Sequence, residues 1–109
     1  MNRKGNVYFK DTLCGVIQET DEGYSFTYEK EYLSNVNAEP ISQTLPLASS
    51  TYQSKTFFPF FDGLIPEGWL LDIAEKNWKI PRRDRMGLLL TLCKDCIGAV
   101  SISNISKEL

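Results

Sequence analysis

The sequence predicts a small α+β domain: an antiparallel β-meander with a barrel-like curl, then two helices, then a final strand. Three observations lead there. The first 28 residues fall into short β-prone runs separated by tight polar turns. A stretch headed by Pro66 carries apolar residues at helical spacing, and a second such stretch follows Pro81. The chain then returns to a β-prone run, IGAVSIS. At 109 residues it has room for one core, so residues 1–109 are read as a single domain.

Each element has a local reason. Asn6 to Lys10 (NVYFK) alternates in part and leads into a polar turn at Asp11-Thr12, and Leu13 to Thr20 continues as a strand. Asp21-Glu22-Gly23 makes a tight turn in which glycine is free to take positive φ. Tyr24 to Tyr28 (YSFTY) alternates aromatic and hydroxyl residues, so Tyr24, Phe26 and Tyr28 share a buried face. Glu29 to Leu33 reads as a helical turn and Ser34 to Pro40 as a polar loop. Ile41 to Leu47 reads as a short edge strand ending near Pro46, and Ser49 to Lys55 as a mobile loop. The first helix begins at Pro66, with Glu67 at its positive end; Leu70, Ile73 and Ala74 form its apolar face, with Leu71 and Trp78 beside it. Asp84 caps a second helix, Arg85 to about Lys94, which turns Met86, Leu89, Leu90 and Cys93 to the core. Ile97 to Ser103 is the last strand.

Composition excludes most chemistry. The chain contains no histidine, so the commonest general base and the Ser-His and Cys-His nucleophile pairs are missing. No phosphate-cradling glycine loop is present, and no pair of carboxylates is placed for acid–base work. No catalytic residue, metal site or cofactor is therefore expected. Cys93 and Cys96 form a C-x-x-C, but at the end of an apolar helical run, with Cys14 the only other cysteine; buried, unreactive thiols are the expectation. The net charge of −2 argues against a stand-alone nucleic-acid binder. The one dense basic cluster, KIPRRDR from Lys79 to Arg85, reads first as a solvated turn between helices, and second as a contact for phosphate or an acidic partner. No apolar run approaches membrane-spanning length and the N-terminus lacks a signal-peptide core, so the chain reads as cytosolic.

What remains is FFPFFDGLIPEGW, Phe57 to Trp69, with five aromatics, two prolines and two glycines in thirteen residues. Core packing is the favoured reading for Phe57, Phe58, Phe60 and Phe61 individually. Trp69 stands open between core and partner anchor, since a tryptophan in a first helical turn can bury on the order of 150–250 Å² against another protein.

These residues resemble the N-terminal subdomain of HipA-type serine/threonine kinase toxins. That family carries a motif like F-F-x-x-L-L-P-E/D, matched by Phe60, Phe61, Leu64, Ile65, Pro66 and Glu67. Its later G-R-D-x-x-G-A-V segment is matched by Asp95, Gly98, Ala99 and Val100, with Cys93-Lys94 in place of Gly-Arg. The upstream YSFTYEKEYL and ISQTLPL also fit, so the resemblance covers nearly the whole chain. No kinase core follows within the sequence. The resemblance therefore implies the small antitoxin of a three-part, HipBST-type toxin–antitoxin system. Its direct partner would be a shortened HipA-like kinase. A helix-turn-helix DNA-binding protein of the same operon would join in a ternary complex, with DNA reached only indirectly and no membrane involved. The contact would be made by Phe61, Asp62, Leu64, Ile65, Pro66, Glu67 and Trp69, near the kinase's ATP-binding loop. The competing expectations are an activating or structural subunit that completes the kinase, and an excised kinase subdomain without function. The polar, charged ending ISNISKEL reads as a natural terminus.

Overall fold

The computed structural model describes residues 2–66, 68–93 and 99–105, with Trp69 and Leu70 described by their backbone alone. Strands β1 (Lys4–Phe9), β2 (Thr12–Thr20) and β3 (Gly23–Tyr28) form the expected meander. A short helix α1 (Lys30–Leu33) and a short strand β4 (Tyr52–Ser54) follow, then helices α2 (Pro59–Asp62), α3 (Trp69–Asn77) and α4 (Arg85–Leu92), and finally β5 (Val100–Asn104). The sheet is antiparallel with strand order β4-β3-β2-β1-β5. It is α+β as expected but open, with β4 and β5 as its two edges rather than partners in a closed barrel.

The first hairpin turns at Lys10 and Asp11, one residue earlier than the sequence suggests. Both take positive φ (50° and 68°), the twist a two-residue hairpin needs. The pairing slips between Val7 and Tyr8, leaving Cys14 as the extra residue of a bulge. Gly23 closes the second hairpin with φ 150°.

Side-chain alternation gives the sheet two faces. Inward rows run Ile102–Val7–Gly15–Tyr28, and put Ile17 next to Phe26. Their apolar side chains join Met86, Leu88 and Leu89 of α4 and Phe58 and Phe61 of the aromatic segment in one buried cluster. α4 packs so closely over β1 that a Cβ on Gly5 would lie 2.7 Å from Leu90. Outward rows run Ser103–Asn6–Val16–Thr27, Ser101–Tyr8–Leu13 and Lys4–Gln18–Ser25–Gln53.

Four local expectations are corrected. Residues 41–47 are not a strand: Ser42 and Leu45 close a tight turn joined by an isolated bridge. Tyrosine hydroxyls satisfy the backbone there instead of a ladder. The Tyr28 hydroxyl donates to the Leu45 carbonyl and accepts from Ile41 N at 3.1 Å; the Tyr52 hydroxyl donates to the Pro46 carbonyl at 2.6 Å. The Tyr32 hydroxyl holds both backbone groups of Glu39, at 2.7 and 3.0 Å. Burial pushes the Tyr28 phenol up to about 12, so it stays protonated and able to donate. Second, residues 49–55 are not all loop, because Tyr52–Ser54 pair with β3 as the edge strand β4. Third, α3 starts at Trp69 rather than Pro66: Gly68 sits at φ 73°, ψ −136°, which no helix accommodates, and its carbonyl accepts the helix's first hydrogen bonds. Fourth, Trp78 is 52% exposed at the far end of α3 rather than lying along its apolar face, whereas Leu71 and Ala74 are buried.

The second helix follows expectation. The Asp84 carboxylate accepts from Gly87 N at 3.1 Å as N-cap, and Met86, Leu89, Leu90 and Cys93 are buried. The helix ends at Leu92; Lys94, Cys96 and the first residues of the expected last strand lie outside the described residues.

Candidate partner-binding site

The aromatic segment is first a core element. Phe58 sets the entry to α2, Pro59 takes the first helical position where its missing N–H costs nothing, and Asp62 is the last helical residue. Phe61 is fully buried, its ring 5.5 Å from Phe26, 6.0 Å from Phe58 and 5.2 Å from Phe60, centroid to centroid. Phe57 meets Tyr24 edge-on at 5.1 Å. Such pairs add about 0.5–1.5 kcal/mol each beyond their burial. The density of aromatics is thus explained mainly by the join between α2 and β3.

Beyond Phe61 the chain advances through tight turns. Leu64 N donates to the Phe61 carbonyl at 3.1 Å and Ile65 N to the Asp62 carbonyl at 3.2 Å. Two long-range contacts fix this path. Arg85 Nε donates to Asp62 Oδ1 at 2.6 Å, tying the end of α2 to the start of α4. The Cys93 thiol donates to the Leu64 carbonyl at 3.3 Å, while Cys93 N and O bond Leu89 and Ile102. Cys93 is therefore a buried junction between α4, β5 and this segment. The other described cysteine, Cys14, is also buried, and burial pushes its thiol up to about 12, where it is inert.

The expected contact residues divide accordingly. Phe61 (0% exposed) and Ile65 (4%) are interior supports. Asp62, Leu64 and Pro66 are partly exposed at the surface, next to exposed Gly63 and Gly68. Glu67 and the side chain of Trp69 lie outside the described residues. The sequence reading missed Arg85 and Cys93 as the groups that position the segment.

Two of the four cations of the basic cluster, Arg82 and Arg85, are paired within the chain. Arg82 pairs with Asp72 and, at 3.5 Å, with Glu75; Arg85 pairs with Asp62. Asp84 belongs to a fork in which the Arg3 guanidinium holds Glu19 at 2.8 Å and Asp84 at 2.9 Å. Hydrogen bonds from Arg3 keep both carboxyls below their usual range. This fork is structural: it ties β2 to the start of α4 through Arg3. Among the described residues, no group of three His, Cys, Asp or Glu could hold a metal ion, and no helix is long and apolar enough to cross a membrane. The surface hollows lie elsewhere, at the β2–β3 turn and β4, lined by Thr20, Glu22, Gln53 and their neighbours.

Comparison with known proteins adds the family. The HipA N-terminal domain family matches residues 5–103. The chain belongs to that family. Among solved structures, an N-terminal domain of HipA toxin superposes with a TM-score of 0.74 at 27% identity, covering 97% of this chain and 95% of that one. An uncharacterised protein of Haemophilus influenzae is 32% identical over 100 residues, 92% of this chain and 91% of that protein. A putative kinase, Y4mE, of Sinorhizobium fredii is 26% identical over 98 residues, 89% of this chain but 23% of the kinase. The match is thus to a HipA N-terminal domain and leaves most of the kinase relative's length without a counterpart in this sequence.

Proposed function

We propose that this protein is a non-enzymatic, cytoplasmic antitoxin that binds and neutralises a shortened HipA-like serine/threonine kinase. Two relatives support this reading. In the Sinorhizobium protein the domain is part of a chain named as a putative kinase, whereas the Haemophilus protein is matched over 91% of its length and so is itself of domain size. A domain that packs on a kinase lobe within one chain can meet the same surface from a separate chain.

The carrying observation is how the segment from Asp62 to Gly68 is built. Phe58, Phe61 and Ile65 are buried beneath it, Arg85 and Cys93 grip it from α4, and Leu64 and Pro66 are left partly exposed. A bent, pre-organised apolar ridge loses little entropy on docking. In this reading Leu64, Pro66, Glu67 and Trp69 meet the kinase N-lobe near its ATP-binding loop, with Trp69 as anchor. Phe61 and Ile65 act from below by holding the ridge in shape. The operon's helix-turn-helix protein joins the complex and reads DNA, so this chain reaches DNA only indirectly.

The test is co-expression with the shortened kinase of the same operon, scored as growth. Rescue by wild type, lost or weakened with a folded Trp69→Ala variant, supports the proposal. Deeper arrest would instead make the chain an activating subunit that completes the kinase. No stable complex at all would leave it an isolated subdomain without this role.

A further inference from the structure

The end of α3 and the turn after it form a basic corner on an acidic chain. Residues 72–85 carry five lysines and arginines against three carboxylates, a net charge of +2, whereas the whole chain is −2 and the remainder therefore −4. All three carboxylates are taken: Arg82 engages Asp72 and Glu75, and Arg3 engages Asp84. Arg85 is spent on Asp62. Lys76, Lys79 and Arg83 are exposed and make no ion pair among the described residues. Two further observations single the corner out. Trp78 is the one aromatic side chain more than half exposed among the described residues. Lys79, next to it, takes φ 57°. The other described non-glycine residues with positive φ, Lys10 and Asp11, are explained by the first hairpin. Lys79 instead follows the end of α3, where a left-handed residue is ordinarily glycine. Lys76 in the last turn already answers the negative helix end, so that end does not account for a lysine at position 79. Strained backbone kept beside an uncovered tryptophan points to function.

We propose that this corner docks an acidic segment of a partner protein, with carboxylates meeting Lys76, Lys79 and Arg83 and an apolar side chain meeting the Trp78 ring. The charge selects that occupant, because interfaces set potentials of opposite sign against each other. Tryptophan supplies the apolar part, being enriched among residues that dominate binding energy. A nucleic-acid strand fits less well. Its charge is continuous, whereas the unpaired cations here number three, and the exposed carboxylates of Asp72 and Glu75 flank them. A second copy of the chain would have to bring its own acidic surface to the corner, in a head-to-tail contact that does not close on itself. The corner lies at the opposite end of α3 from Trp69, about 13 Å along a helix of nine residues, so it is separate from the ridge. One indole and three exposed cations make a weak contact that salt screens.

Fluorescence anisotropy of a fluorescein-labelled, glutamate-rich peptide with a central leucine, titrated with the purified chain, tests this. Wild type should bind the peptide at low ionic strength and bind it several-fold more weakly at physiological salt. Trp78→Ala should weaken binding by about fivefold or more. Lys79→Gly should weaken it by about two- to fivefold while melting no lower than wild type, because glycine relieves the strained backbone. Lys30→Ala, an exposed cation on α1, should bind as wild type does and so separates the corner from general charge. No binding at low ionic strength, or Trp78→Ala and Lys79→Gly binding as wild type does, overturns the proposal. Single-stranded oligothymidylate bound more tightly than the peptide also overturns it, and assigns the corner to nucleic acid.

Discussion

Replacing Phe61 by alanine separates the two roles that an aromatic-rich segment can have. Phe61 is 0% exposed and its ring lies within 6.0 Å, centroid to centroid, of Phe26, Phe58 and Phe60. Truncating a buried phenylalanine costs about 3–5 kcal/mol, from lost transfer energy and the cavity left behind. A domain of this size is stable by only about 5–15 kcal/mol, so the loss is a large share of the total. In thermal terms it corresponds to more than about 12 °C. Leu64→Ala, at a partly exposed position, should cost under about 1 kcal/mol. Urea unfolding followed by circular dichroism, with matched slopes for the two variants and wild type, measures both. If Phe61→Ala cost no more than Leu64→Ala, the ring would not be a core element, and the account of the segment as a ridge on a buried aromatic base would be wrong.

Three further outcomes follow from single contacts. Glu19 and Asp84 titrate below their ordinary values of 4.5 and 3.8 because of Arg3, so between folded and ordinary values the unfolded chain binds more protons. Their contribution is complete above those ordinary values and is lost as pH falls below them; Arg3→Ala should flatten this acid limb in melts taken from pH 6 downward. Gly68→Ala should destabilise by about 1–3 kcal/mol in denaturant melts even though nothing lies within 4 Å of the added methyl, because φ 73° with ψ −136° is close to a glycine-only conformation. Tyr28→Phe removes the hydroxyl shared by Ile41 and Leu45 and should cost about 1–3 kcal/mol, with faster amide exchange at Ile41 as its local signature.

The parts of the fold readable in advance were those fixed by neighbours in sequence. YSFTY alternates because one face of β3 is buried, and Asp84 caps α4 through a bond spanning three residues. The parts that were not readable depend on distant groups. Ile41 to Leu47 looks like a strand by composition, but hydroxyls of Tyr28 and Tyr52 take up backbone groups that a ladder would otherwise pair. Tyr52–Ser54 is polar enough to pass for loop, and it becomes a strand only because the edge of β3 is available to it. Proline and glutamate at positions 66 and 67 favour a helix start, whereas the backbone of Gly68 overrides both. At the candidate site the sequence could not sort the residues of the aromatic stretch into base and surface. That division depends on Phe26 and on Arg85 and Cys93, each more than twenty residues from its contact in the segment.

The proposed silencing of a kinase through the segment ending at Trp69 can be read on the purified proteins. The most direct measurement is the activity of the purified shortened kinase as the chain is added, with wild type beside a Trp69→Ala variant of confirmed fold. The account predicts activity falling to near zero at stoichiometric wild-type chain and persisting with Trp69→Ala. Activity that is unchanged or raised by wild type, or silenced equally by both, would contradict it.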